Sequence, residues 1–174
     1  MAIRPWRESD ADALVRALND ARVLDDLRDG LPSPYTRADA LDFISAMLAS
    51  GEASYGFAIA DGGECAGAIT VTRGVNIHRR TGELGYYVLP EHWGRGLATD
   101  AVREICRCIF ARTDIIRIYA EPFSDNAASC RVLEKAGFTF EGTLRANAVK
   151  HGSVRDMRMY ALIRPESRQR RSLE

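Results

Sequence analysis

Residues 82–102 read GELGYYVLPEHWGRGLATDAV, and their order decides the fold. The apolar and aromatic run Gly82–Leu89 reads as a strand, which Pro90 stops. From Ala98 to Phe110 the residues Ala98, Ala101, Val102, Ile105 and Ile109 recur at helical spacing. Between strand and helix, Gly94 and Gly96 flank Arg95, just where the helix must be nucleated. Glycine there costs backbone entropy and adds no packing, so a requirement other than stability is expected. A strand, a glycine turn and a helix N-terminus together make an anion cradle. The first N–H groups of a helix lack intrahelical partners and carry the positive end of its dipole, and glycine clears the Cβ from the path of a phosphate. The amides of Arg95, Gly96, Leu97, Ala98 and Thr99 are expected to converge on one anion. No Lys-Ser/Thr pair follows, as a Walker loop needs, and no G-x-G-x-x-G is present, as a dinucleotide site needs. Taken alone, the turn reads equally well as a tight helix cap.

On the N-terminal side, AIRPW starts a short strand, and Ser9 is expected to cap a helix carrying Leu14, Ala17, Leu18 and Ala21. The loop DDLRDGLPSPYT (25–36) is long enough to be functional. Thr36 with Asp39 forms a capping box for a second helix, which Gly51 ends in the left-handed conformation. SYGFAIA (54–60) and ECAGAITVTR (64–73) read as a hairpin turning at DGG. Beyond the central helix, IIRIYAE (115–121) is a buried strand, and Asp125 or Asn126 caps a helix running to Gly137. Two last strands are expected around FTFEGTL (138–144) and RDMRMYALI (155–163), turning near His151-Gly152. The order β-αα-βββ-α-β-α-ββ, with no internal repeat, predicts one mixed α/β domain over residues 1–165, its helices covering the sheet.

The chain has 174 residues, enough for a real core, with 46% apolar and 28% charged side chains. Basic and acidic residues balance at 24 each, so no global field favours nucleic acid or a membrane surface. Arg168, Arg170 and Arg171 make residues 166–174 an Arg-rich tail, read as solvated, with an RNA-touching arm as the alternative. Leu173-Glu174 is also what a cloning scar would leave. No apolar run reaches membrane-spanning length and MAIRPWRESD lacks a signal-peptide core, so a cytoplasmic location is expected. Four cysteines without C-x-x-C spacing and three scattered histidines give no support to a metal site.

ELGYYVLPEHWGRGLATDAV, followed some 30 residues later by SDNAASCRVLEKAGF, resembles the GNAT superfamily of N-acetyltransferases. LRDGLPSPYT and EGTLR…RDMRMYAL narrow the likeness to the RimJ/RimL branch, whose members acetylate ribosomal-protein N-termini. The resemblance implies a mostly antiparallel central sheet with one splayed strand pair, flanked by helices, and acetyl-CoA as co-substrate. The family's pyrophosphate signature, Q/R-x-x-G-x-G/A, is met by Trp93-Gly94-Arg95-Gly96-Leu97-Ala98, with Trp at its first position. By the same resemblance, the pantetheine arm pairs with the strand end at Val88 and Leu89 and with Asn126. Many relatives pair as dimers, which makes a homodimer the expectation here.

Acetyl transfer needs a base for the amine, a donor for the oxyanion and a proton for the departing thiolate. Glu83 lies where histone-type relatives keep a catalytic glutamate, and Glu121 where RimI-type relatives keep one. Each also reads as a solvated charge at a strand end. The family's tyrosine acid, seven residues after the asparagine, is here Leu133, which leaves Ser129 as the substitute toward the coenzyme sulfur. Cys130 reads as a buried thiol, not a nucleophile. His92 and Trp93 read as loop residues packing on the coenzyme or the sheet edge. Tyr86 and Tyr87 must face opposite sides of their strand, so one is core and Tyr86 is taken to line the acceptor groove. Arg28, Asp29 and Tyr35 are candidate acceptor contacts because their loop overhangs that side in this fold.

Three readings follow: acetylation of a peptide α-amine, acetylation of a small amine such as an amino acid, polyamine or aminoglycoside, or an acyl-CoA-binding module without turnover. Asp25, Asp26 and Asp29 favour a polycation, but Arg22 and Arg28 dilute them. Leu133 leaves the third reading open, while Glu83, Glu121 and Ser129 argue against it.

Overall fold

The computed structural model describes residues 1–165, and the Arg-rich tail 166–174 lies outside the described residues. The hairpin expected at DGG forms from β2 (Ser54–Asp61) and β3 (Glu64–Arg73), with Gly62 and Gly63 both at positive φ. β4 (Thr81–Val88) continues the antiparallel run, and β1 (Ile3–Arg4) adds to the far edge. Beyond β4 come β5 (Arg117–Ala120), β6 (Thr139–Lys150) and β7 (Ser153–Ile163). Among the described residues the sheet has seven strands in the order β1-β2-β3-β4-β5-β7-β6, and only the β4–β5 pairing is parallel.

Period-2 alternation along the strands sends side chains to two different cores. Ile59, Ile69, Val71 and Leu84 point to the face covered by α4 (Leu97–Arg112) and α5 (Ala127–Lys135), against Val102, Ile105, Ile109 and Leu133. Ala58 and Ala68 point the other way. Their small size lets α1 (Ala11–Ala17) and α3 (Arg37–Ala49) approach with Leu14, Ile44 and Trp6. The α/β architecture expected from the element order is therefore the one observed.

Two local expectations need correction. The helix expected from Ser9 through Ala21 is divided: a 3-10 turn at Glu8–Asp10 precedes α1, and α2 (Ala21–Leu24) starts afresh. Ser9 caps nothing here. Asp10 accepts the Arg7 N–H at 2.9 Å, and Asp20 accepts the Arg22 N–H and so nucleates α2. The last two strands are also longer than expected, at 12 and 11 residues. Their register shifts at Phe140/Gly142 and Leu144/Ala148, and Ala146 has φ +52°. Such bulges break the alternation by which a strand is read. The Thr36–Asp39 capping box forms as expected, and Gly51 ends α3 at φ +56°.

Candidate active site

Gly94 and Gly96 sit at φ +74° and +80°, conformations that strain any residue with a Cβ, and a Cβ at either would meet nothing within 4 Å. The turn therefore faces open space, and no side chain caps the start of α4. Its amides keep the orphan donors that suit an anion. Arg95 presents only its backbone there, since its guanidinium is paired with Asp61 on β2. His92 Nδ1 holds the same carboxylate at 2.9 Å. Leu97 and Ala98 pack against the core and Thr99 is buried, which fixes the first turn of α4.

A cleft of about 980 Å³ runs from this turn along β4. Its floor is an opening in the sheet. β4 pairs with β5 only from Thr81 to Glu83. Leu89 donates its N–H to Ala66 on β3, and Thr81 accepts from Gly74 on the same side. Alternate residues face opposite ways, so the peptide groups of Leu84, Tyr86 and Val88 face the opening. This corrects the expectation for Leu89, whose amide is already engaged within the sheet. Trp93 adds a second refinement: its indole N–H donates to the Val88 carbonyl at 2.7 Å. The Val88 N–H keeps its place toward the opening.

Asn126 caps α5, accepting the Ser129 N–H at 2.9 Å. That cap aims the first turn of α5 at the cleft, where the Ser129 hydroxyl lies 2.8 Å from the Tyr86 hydroxyl. Burial pushes the Tyr86 phenol well up, and its bond to Ser129 only partly offsets this, so it stays protonated. Tyr86 thus belongs with Ser129, not with a remote acceptor wall. Tyr87 packs into the opposite core, as the strand period requires. Leu133, in the position of the family tyrosine, is fully buried, and Cys130 is buried beside it in the same core.

At the far end, Glu83 on β4 and Glu121 just beyond β5 meet a single guanidinium. Arg28 Nη2 donates to Glu83 Oε1 and, at 3.4 Å, to Glu121 Oε2. Tyr119 donates to Glu83 Oε2 at 3.5 Å. Burial pushes the Glu121 carboxyl up, the neighbouring Glu83 pushes it further, and Arg28 pulls it back. The two candidate bases therefore share one site. Asp29 is drawn elsewhere: its carboxylate pairs with Lys150 at 2.6 Å, which holds it below its usual range. Tyr35 is only 4% exposed, and its hydroxyl bonds the Asp39 carbonyl at 3.3 Å. It supports the cleft wall instead of offering a polar group to an acceptor. Lys150, buried at the end of β6, was not singled out from the sequence. Its role depends on a loop more than a hundred residues away, and no local signal marks it.

Similarity to known proteins agrees with this geometry. The Bacillus subtilis protein YoaA, described as an uncharacterized N-acetyltransferase, is 39% identical over 88 residues, which is 51% of this chain and 49% of that one. The match thus spans about half the length of that relative. Mycobacterium smegmatis RimJ, solved with a CoA disulfide, superposes with a TM-score of 0.83 at 25% identity over 94% of this chain and 82% of that one. Vibrio cholerae spermidine N-acetyltransferase, solved with CoA and spermine, superposes with a TM-score of 0.79 at 18% identity over 93% and 94% of the two chains. The profile described as Acetyltransferase (GNAT) domain matches residues 1–139. An open glycine turn, a parted strand pair and a profile match over most of the chain lead to one conclusion: the protein belongs to the GNAT acetyltransferase family.

Proposed function

We propose that this chain transfers the acetyl group of acetyl-CoA to a primary amine, the α-amine of a peptide or protein N-terminus, by direct attack within a ternary complex. The observation that carries the reading is the continuity of the cleft. It joins an open, uncapped helix N-terminus to a carboxylate pair by way of unpaired strand peptides. The glycine turn suits the coenzyme's diphosphate, and the Tyr86 peptide group suits its pantetheine amides. Glu121 or Glu83 receives the ammonium proton, directly or through water, which leaves a neutral amine to attack the thioester carbon. The Val88 N–H is placed to donate to the resulting oxyanion. As the tetrahedral intermediate collapses and its C–S bond breaks, Ser129, bonded to the neutral Tyr86 phenol, passes a proton to the departing thiolate and recovers one, through water, from the attacking nitrogen as it sheds its second proton. Likeness in fold to a ribosomal L7/L12 alpha-N-protein acetyltransferase supports a protein acceptor.

A second reading, acetylation of a polyamine, is favoured by the paired carboxylates at the acceptor end and by likeness to the spermidine acetyltransferase. Thiol release with acetyl-CoA separates them, measured against short peptides of varied first residue, polyamines, aminoglycosides and free amino acids. Turnover on peptides alone supports the first reading, and turnover on polyamines alone replaces it with the second. Coenzyme binding without any turnover would leave a binding module.

A further inference from the structure

The contact between Arg28 and the two glutamates is not what closes the sheet. The sheet is already closed at that level by the pairing of Glu83 with Tyr119, and Arg28 comes from outside the sheet, on the loop between α2 and α3. Its backbone is anchored on both sides. The buried ammonium of Lys150 donates to the Leu27 carbonyl at 2.9 Å and to Asp29 Oδ1 at 2.6 Å, so one group holds the residue before Arg28 and the residue after it. Arg155 donates to the Asp25 carbonyl at 3.0 Å, and His151 meets the Asp25 carboxylate at 3.1 Å. The Arg28 side chain itself is 62% exposed, whereas the Lys150 side chain that fixes its loop is 7% exposed. An anchored loop thus carries a solvent-exposed arm, and the arm ends on the two carboxylates.

Its chemistry at that point is that of a protonated amine: one positive charge with N–H donors directed at two carboxylate oxygens. We propose that Glu83 and Glu121 form a cation subsite for the acceptor ammonium, and that Arg28 is its built-in occupant, displaced when an acceptor enters. This rests on the transferase reading given above. Ion pairs exposed to this degree are weak, so an incoming cation meets little resistance. Exchange of one cation for another leaves the carboxylates paired throughout. An amine that arrives uncharged gains nothing from evicting the guanidinium, so the device selects acceptors that arrive protonated.

Arg28→Ala and Arg28→Lys, compared with the unchanged chain, test this in two ways. In thiol release with whichever amine is turned over, Arg28→Ala is expected to lower the acceptor KM about fivefold or more, with Arg28→Lys between the two. An increased KM would overturn the proposal and make Arg28 an acceptor contact. Independently of turnover, n-butylammonium chloride is titrated into the CoA-saturated protein and followed by NMR. The Arg28→Ala chain is expected to bind it several-fold more tightly, and adding Glu83→Gln is expected to abolish the gain. Equal or weaker binding to Arg28→Ala overturns the subsite. If no amine is acetylated by any variant, the transferase reading fails by itself, and the titration still decides whether Arg28 blocks a cation site.

Discussion

Burial and the adjacent Glu83 both push the Glu121 carboxyl above its ordinary value of 4.5, against the pull of Arg28. The groups facing it are Glu83, Arg28 and, across Glu83, Tyr119. A base works in its deprotonated form, so kcat/KM falls as the pH drops through a value above this group's ordinary one. Glu121→Gln is expected to lower kcat/KM about 10²-fold and to remove that acid limb, measured as a pH–rate profile. A limb that survives assigns the base to Glu83. At the thiolate end, Ser129→Ala is expected to lower kcat about tenfold or more while the KM for acetyl-CoA changes little, and Tyr86→Phe to follow in the same direction by a smaller factor. A Ser129→Ala effect confined to KM would reduce Ser129 to a binding contact. Glu83, Glu121 and Ser129 were legible as candidates through the family resemblance, at whose positions they stand. Arg28 was legible as a candidate acceptor contact from its loop, but its meeting with both glutamates depends on Lys150, which lies 122 positions further along the chain.

Among the elements, those specified by local chemistry were readable, and those specified by distant partners were not. The Thr36 box, the DGG hairpin and the Gly94–Gly96 turn each depend on residues a few positions apart. The division between α1 and α2 turns on Asp20 outcompeting a continuous helix, a contest that periodicity does not register. The polar edge strand β6 has no buried face to give it an apolar alternation. Two glycines separate structural from functional need. Gly67→Ala would set a Cβ 2.2 Å from the Tyr87 carbonyl oxygen, so the β3–β4 pairing has to shift, and a large loss of stability is expected in urea unfolding. Gly96→Ala meets no atom and is expected to cost about 1–2 kcal/mol for its left-handed φ. Its larger effect is expected in coenzyme affinity, measured by calorimetry, because the added methyl enters the space kept for the anion. An affinity loss no greater than the stability loss would make the turn a mere helix cap.

Two cores share one sheet, and α4 is the helix that joins the larger core to the cleft. Val102, Ile105 and Ile109 bury its inner face while its N-terminus meets the glycine turn. Ile105→Ala is expected to destabilise the chain by about 2–5 kcal/mol, a lowering of the midpoint that thermal unfolding can resolve. The fold class was legible as a whole because the element order and the apolar periods agree with each other. The opening between β4 and β5 was available only through the family resemblance, since no residue in either strand announces where pairing ends. The chain has two tryptophans, one in the smaller core and one at the cleft. Trp6 is 4% exposed in the core beneath α1 and α3, and Trp93 is 50% exposed at the cleft with its indole on Val88. The molecule therefore carries two native fluorophores in different surroundings. Emission from Trp93 should respond when the coenzyme settles into the cleft, and emission from Trp6 should redden only when the chain unfolds, so loading and melting can be followed optically in one unlabelled sample.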